Sequence, residues 1–294
     1  MISLAGICGN HSLKSLITDL CENQKLPQAV LFCGEAGTGR NLFARFTAAA
    51  YLEDTAGMVQ RRIHPDCIEI RGGGASGEIS VDSVREVSYE MNKSAVMADS
   101  KRAVIIEDAY NLNRNSSAAL LKTLEQPPPG VVFILTATGA EDLSDTVRSR
   151  CAVFCLDAPG TDECADFLKS KRESGEHALI DEYSRLFRGR VGLVIKALDD
   201  DEFAACLERA KLFAGHFMEN DPLSMLSVLD KAENRKALAE TLRLSVFYLA
   251  GRDGMKDVLY AVKQIEDMAR MLAYNLAPKL LATVLVSRIA RSAA

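Results

Sequence analysis

The sequence predicts an α/β fold: a mainly parallel sheet in the first half of the chain, followed by helices to its end. Three observations carry this. Short runs rich in Val, Ile, Leu and Phe alternate with amphipathic stretches up to residue 156, as expected of strands buried on both faces. A glycine cluster at 34–39 joins the first run to the first amphipathic stretch, in the manner of a strand–turn–helix unit. From Thr161 onward nearly every segment has helical periodicity.

Taken in order, residues 29–33, 67–70, 103–106, 131–137 and 152–156 read as the strands. Residues 41–52 make a helix candidate directly after the glycine turn. Residues 81–91 place Val81, Val84, Val87 and Met91 on one face at helical spacing, and 114–125 stop at Pro127-Pro128-Pro129, which cannot continue a helix. Gly72-Gly73-Gly74-Ala75-Ser76-Gly77 marks a surface loop, because the alternation resumes on both sides. Pro159-Gly160 breaks the pattern, and turns at Gly189, Asp199-Asp200-Asp201, Asp221-Pro222 and Arg252-Asp253-Gly254 punctuate the helices. The expected division is an α/β core over 1–157, a small helical unit over 158–200 and a larger helical domain over 201–294. A stripe of Val258, Val262, Ile265, Met268 and Ala269 is open to two readings, a surface for partner helices or an internal core face.

Composition narrows the function classes. With 48% hydrophobic and 26% charged residues among 294, the chain has ordinary globular usage. Its longest apolar stretches, at 131–137 and 280–286, fall short of the ~20 residues that span a bilayer. Residues 1–8 carry no basic segment ahead of an apolar one, so the expectation is a cytoplasmic protein without membrane contact. The eight cysteines (Cys8, Cys21, Cys33, Cys67, Cys151, Cys155, Cys164 and Cys206) lack a CxxC pair, unlike a disulfide scaffold or a zinc ribbon. His64 and Cys67 supply two ligands where a structural zinc site needs four, so an exposed turn and a buried thiol are favoured instead. A net charge of −5 disfavours a protein that wraps duplex DNA by neutralising phosphates.

The strongest chemical signal is Gly34-Glu35-Ala36-Gly37-Thr38-Gly39-Arg40-Asn41, after a strand and opening a helix. This is the glycine spacing of a phosphate-binding loop, in which backbone N–H groups and a helix N-terminus cradle an anion. The working motif continues with Lys, which reaches the terminal phosphates, and Ser or Thr, which binds Mg²⁺. Arg40 and Asn41 stand in those places. Arginine keeps the charge but adds a bulky planar fork, and an amide is a different metal ligand from a hydroxyl. Downstream, Glu107-Asp108 closes a strand in the way of carboxylates that bind metal and activate water, in the reverse of the usual Asp-Glu order.

The run from Asn115 through Ala118-Ala119-Leu120-Leu121-Lys122-Thr123-Leu124-Glu125-Gln126-Pro127-Pro128, then 131–138, then Thr146-Val147-Arg148-Ser149-Arg150-Cys151, resembles the clamp-loader branch of the AAA+ ATPases. That branch reads LLKTLEEPP, a FILT-like strand and T-I-R-S-R-C. His64-Pro65-Asp66, residues 79–87 (ISVDSVREV) and Gly189-Arg190-Val191-Gly192 with Ala197-Leu198 are similar to segments of the delta-prime family of the bacterial DNA polymerase III clamp loader. The likeness is clear over 25–200 and faint over 201–294, where helices and the stretch from Tyr274-Asn275-Leu276 to Arg288 are compatible with it.

The resemblance implies an AAA+ P-loop-type core, a helical lid and an all-helical C-terminal collar. It also implies a largely non-hydrolysing scaffold with no nucleotide of its own. Arg150, in Ser149-Arg150-Cys151, would then act as an arginine finger on ATP and Mg²⁺ held by a neighbouring subunit, and Thr138 would take the sensor position. The implied partners are delta and gamma/tau subunits in a hetero-oligomeric ring, with the sliding clamp and primer–template DNA met through the complex. Many relatives carry four zinc-binding cysteines before the H-P-D segment, but residues 51–63 contain none, so zinc is not expected. The alternative is an ATP-hydrolysing gamma/tau-like motor, opposed by Arg40, Asn41 and the Glu107/Asp108 order. A small-molecule kinase would leave the 115–151 pattern without a purpose.

Overall fold

The computed structural model describes residues 6–73, 77–91, 95–96, 101–250, 256–272 and 277–292. The loop residues 74–76, the turn at 252–254 and Tyr274-Asn275-Leu276 lie outside them. The chain divides into two compact units, Met1–Arg172 with Gly189–Gly192, and Glu173–Arg188 with Leu193–Ala294.

In the first unit, five strands run parallel: β1 (Ala29–Cys33), β2 (Cys67–Ile70), β3 (Arg102–Ile106), β4 (Val131–Ala137) and β5 (Ala152–Cys155). Their order is β2-β3-β4-β1-β5. β1, β3 and β4 are buried at every position, which is why their residues, Arg102 and Thr136 apart, are apolar without alternation. The last strand departs from the buried-strand expectation: β5 is an edge strand, with Val153 and Cys155 exposed on one face. Helices cover both faces. α1 (His11–Glu22) and α2 (Arg40–Tyr51) pack on one, where Phe32 of β1 meets Phe43 of α2 at a ring separation of 5.0 Å. α3 (Val81–Glu90), α4 (Arg114–Glu125) and the short α5 (Asp145–Arg148) cover the other through Val84, Val87, Leu120, Leu124 and Val147.

Local chemistry starts and stops these helices. Ser80 accepts the Ser83 N–H ahead of α3, and Asn113 accepts the N–H groups of Asn115 and Ser116 ahead of α4. Pro127 and Pro128 follow α4 at once. Asn113→Ala should lower the unfolding free energy by about 1 kcal/mol, read from urea denaturation, since it orphans two α4 donors. The segment after α2 is turned by Asp54. Burial works against that carboxylate, but the N–H groups of Val59, Met58 and Ala56 outweigh it and hold it below its ordinary range.

α6 (Thr161–Lys169) completes the first unit. Among the described residues the second is all helical: α7 (His177–Leu186), α8 (Val191–Asp199), α9 (Asp201–Met218), α10 (Pro222–Asp230), α11 (Arg235–Ala250), α12 (Lys256–Met271) and α13 (Pro278–Ser292). α8 begins within the segment assigned to the first unit. Asp200 and Asp221 cap α9 and α10, with Pro222 at the first helical position of α10, where its missing N–H costs nothing. Val258, Ile265, Met268 and Ala269 are buried, and three of them join a core with Phe213, Leu242, Leu285 and Val286. The structure therefore gives the α12 stripe to the unit's own interior and not to partner helices. Among the described residues no helix is long and apolar enough to cross a membrane.

Candidate nucleotide-binding site

The glycine loop sits at the C-terminal end of β1, the centre of the site in a doubly wound sheet. Gly37 and Gly39 adopt φ of 88° and 91°, values that L side chains rarely reach, so the turn needs glycine there. Gly34 is needed for space: a Cβ would stand 2.7 Å from Thr38 Oγ1 and 3.0 Å from the Leu156 carbonyl. The loop is also tied to the 189–192 turn. Gly192 donates its N–H to the Gly37 carbonyl at 2.9 Å, and Arg190 forms an ion pair with Glu35.

Arg40 does not point out to meet an anion. It is only 8% exposed, and its guanidinium folds back into the protein. Nη1 donates to the Gly34 carbonyl at 2.7 Å, while Nη2 and Nε donate to Asp108 Oδ1 at 2.8 and 3.3 Å. A fork with several donors can satisfy a carbonyl and a carboxylate together, which a lysine in this place could not do with the same rigidity. Asn41 is engaged as well: its Oδ1 accepts the Thr136 hydroxyl at 2.7 Å, and the Thr136 oxygen accepts the Asp108 N–H at 2.9 Å. The loop glycines, Arg40, Asn41 and Asp108 thus form one network with Thr136, a fully buried hydroxyl in β4 that the sequence reading passed over. Its signal was a lone polar residue inside the apolar run of 131–137.

Glu107 is separated from that network. Its carboxylate lies in a buried cluster with Arg45 Nη2 at 2.5 Å and Arg62 Nη2 at 3.3 Å. Glu69 of β2 closes the cluster, 3.4 Å from Arg45 Nε and 3.1 Å from Arg62 Nε. The Glu69 oxygens have no aligned hydrogen bond, so the attraction there is ionic. Two arginines balance two carboxylates, and Glu107 is occupied in structure on the α2 side of the sheet.

The remaining predicted residues lie at opposite edges of the sheet, Thr138 on the side of the glycine loop and Arg150 ahead of the N-terminal end of β5. Thr138 is exposed just beyond the end of β4. Arg150 follows α5 and its side chain is 48% exposed, with Nη2 3.3 Å from Glu125 Oε1 and Nη1 3.4 Å from Ser149 Oγ. Cys151 beside it packs into the core, and burial pushes its thiol up to about 12. Among the described residues no group of three or more His, Cys, Asp or Glu is placed to hold a metal ion.

A parallel β2-β3-β4-β1-β5 sheet with a glycine loop after β1, acidic residues after β3 and a trailing helical unit defines the AAA+ class. The chain belongs to the family described as "DNA polymerase III, delta subunit", whose sequence profile matches residues 9–159. It is 28% identical over 174 residues to DNA polymerase III subunit delta' of Haemophilus influenzae, a match covering 59% of this chain and 52% of that protein. It is 27% identical over 228 residues to the Escherichia coli subunit delta', covering 78% and 67%. Subunit gamma/tau of Mycoplasma genitalium matches at 29% over 158 residues, 50% of this chain and 26% of that one. The chain thus spans about half the length of the Haemophilus relative. Among solved structures, a DNA polymerase III gamma subunit-related protein of Thermotoga maritima superposes with TM-score 0.62 at 16% identity, covering 94% of this chain and 98% of its own. A RuvB mutant of the same organism gives 0.51 at 15%, covering 97% and 85%. At such identities these two likenesses speak for the fold.

Proposed function

We propose that the chain is a structural, non-hydrolysing subunit of a cytoplasmic bacterial DNA polymerase III clamp loader, of the delta-prime type. In this reading it joins delta and gamma/tau subunits in a ring, helps place the sliding clamp on primer–template DNA, and lends Arg150 to ATP held next door. One observation carries it: the Arg40 guanidinium is turned inward and held by the Gly34 carbonyl and Asp108, so that it is not offered to a phosphate on the loop. A bound phosphate would have to displace a carboxylate from a nearly buried arginine, a contact of the stronger, charge-assisted kind. Magnesium finds no better reception, since Asn41 is committed to Thr136 and Glu107 to two arginines. These residues do not fit a magnesium nucleotide. Arg150, by contrast, stands half exposed ahead of β5, at the sheet edge opposite the glycine loop, and a planar fork suits phosphate oxygens.

The isolated chain should show no saturable ATP binding up to about 1 mM, the upper end of ordinary KM values, and no measurable turnover. Titration with a labelled nucleotide reads this. Micromolar binding abolished by Arg40→Ala would instead favour the motor reading, which draws on the intact glycine geometry of the loop and the match to gamma/tau proteins.

A further inference from the structure

We infer that Glu125 is a positioning residue for Arg150, setting the direction in which the guanidinium faces the neighbouring subunit. The inference rests on the reading of Arg150 as an arginine that acts in trans. The geometry is a two-point hold. Arg150 Nη2 donates to Glu125 Oε1 at 3.3 Å and Nη1 donates to Ser149 Oγ at 3.4 Å. The Ser149 hydroxyl gives its own proton to the Thr146 carbonyl at 3.1 Å, so toward Arg150 it can only accept. The remaining N–H groups of the fork stay available for phosphate oxygens. Arg148, the other arginine of the motif, is held by Asp145 at 2.6 Å and does not compete for Glu125.

Both ends of the hold are mounted on one rigid base. Leu124, next to Glu125, and Val147 and Cys151, on either side of Arg150, belong to the same hydrophobic cluster. α4 and α5 are thereby fixed to each other through the core, and the two polar side chains project from adjacent anchored positions. The placement of Glu125 also breaks a local rule. It is the last residue of α4, where the negative end of the helix dipole disfavours a carboxylate by a few tenths of a kcal/mol or more. A residue that violates helix electrostatics and pairs with one exposed arginine has a local compensation in that arginine. The segment that ends α4, Leu124-Glu125-Gln126-Pro127, is then coupled to the Ser149-Arg150-Cys151 turn by geometry.

The test uses the reconstituted loader with Glu125→Ala, Glu125→Gln, Arg150→Ala and the Glu125→Ala/Arg150→Ala double variant of this subunit, read as kcat and KM for ATP at the one adjoining site, resolved from the other sites by single-turnover kinetics. Glu125→Ala should lower kcat by between about two- and fivefold, the size of a half-exposed ion pair, and leave KM unchanged. Glu125→Gln, which keeps a hydrogen-bond acceptor, should recover part of that loss. In the double variant the Glu125 change should add nothing to Arg150→Ala, because its effect is transmitted through the fork. A strong Arg150→Ala effect with a silent or fully additive Glu125→Ala would overturn the inference and leave the Arg150 reading standing. A silent Arg150→Ala would sink both, beginning with the reading beneath.

Discussion

Arg150→Ala in this subunit alone should abolish ATP turnover at the one adjoining site of a reconstituted loader while leaving assembly intact. The arginine is exposed and its polar contacts among the described residues are two long ones, so its removal should change the stability of the chain by less than about 0.5 kcal/mol. An arginine that completes the charge clamp on a transferring phosphoryl group is worth about 10³ to 10⁵ in rate, which dwarfs the folding effect. Arg150→Lys should not restore it, because a point charge on a flexible stem cannot reproduce a planar bidentate contact. Single-turnover hydrolysis at the adjoining site, with size-exclusion chromatography as the assembly control, separates the two roles. Loss of assembly together with loss of turnover would make Arg150 an interface residue and not a catalytic one.

The second large effect is on stability and comes from Glu107. Glu107→Gln removes one of two carboxylates facing Arg45 and Arg62 and leaves a buried excess of positive charge. Breaking a buried pair from one side typically costs about 3–5 kcal/mol, and the partial exposure of Arg62 argues for the lower end of that range. Urea unfolding of the isolated subunit should therefore show a clear fall in midpoint with an unchanged slope. The ATPase of the assembled loader should be unaffected once the variant is folded. A stable variant with impaired ATPase would return Glu107 to the metal-binding role that its sequence position suggested.

That contrast shows what could be read from the chain and what could not. The strands β1, β3 and β4 were legible because burial on both faces demands unbroken apolar runs, and the loop was legible because φ near +90° demands glycine at 37 and 39. The exposed face of β5 was hidden, since an edge strand of four apolar residues looks like a central one. Arg40 and Asn41 were recognisable as departures from a motif. Where their side chains go was not, because the partners Asp108 and Thr136 lie 68 and 95 residues away. Pairing Glu107 with Arg45, Arg62 and Glu69 likewise joins α2, the loop after it, β2 and β3, a juxtaposition that only the sheet order creates. Helical periodicity found the α12 stripe but could not tell an internal face from an external one, and packing against α9, α11 and α13 decided it.

The proposed division of labour, an arginine turned inward at Arg40 and an offered arginine at Arg150, can be tested in one paired measurement. Arg40→Ala and Arg150→Ala are each placed in this subunit, and the DNA- and clamp-stimulated ATPase of the reconstituted ring is compared with wild type. The account predicts that Arg40→Ala leaves the rate at wild-type level and that Arg150→Ala lowers it by the share of the adjoining site. The opposite pattern, an Arg40-dependent rate indifferent to Arg150, would contradict it and make this chain a motor.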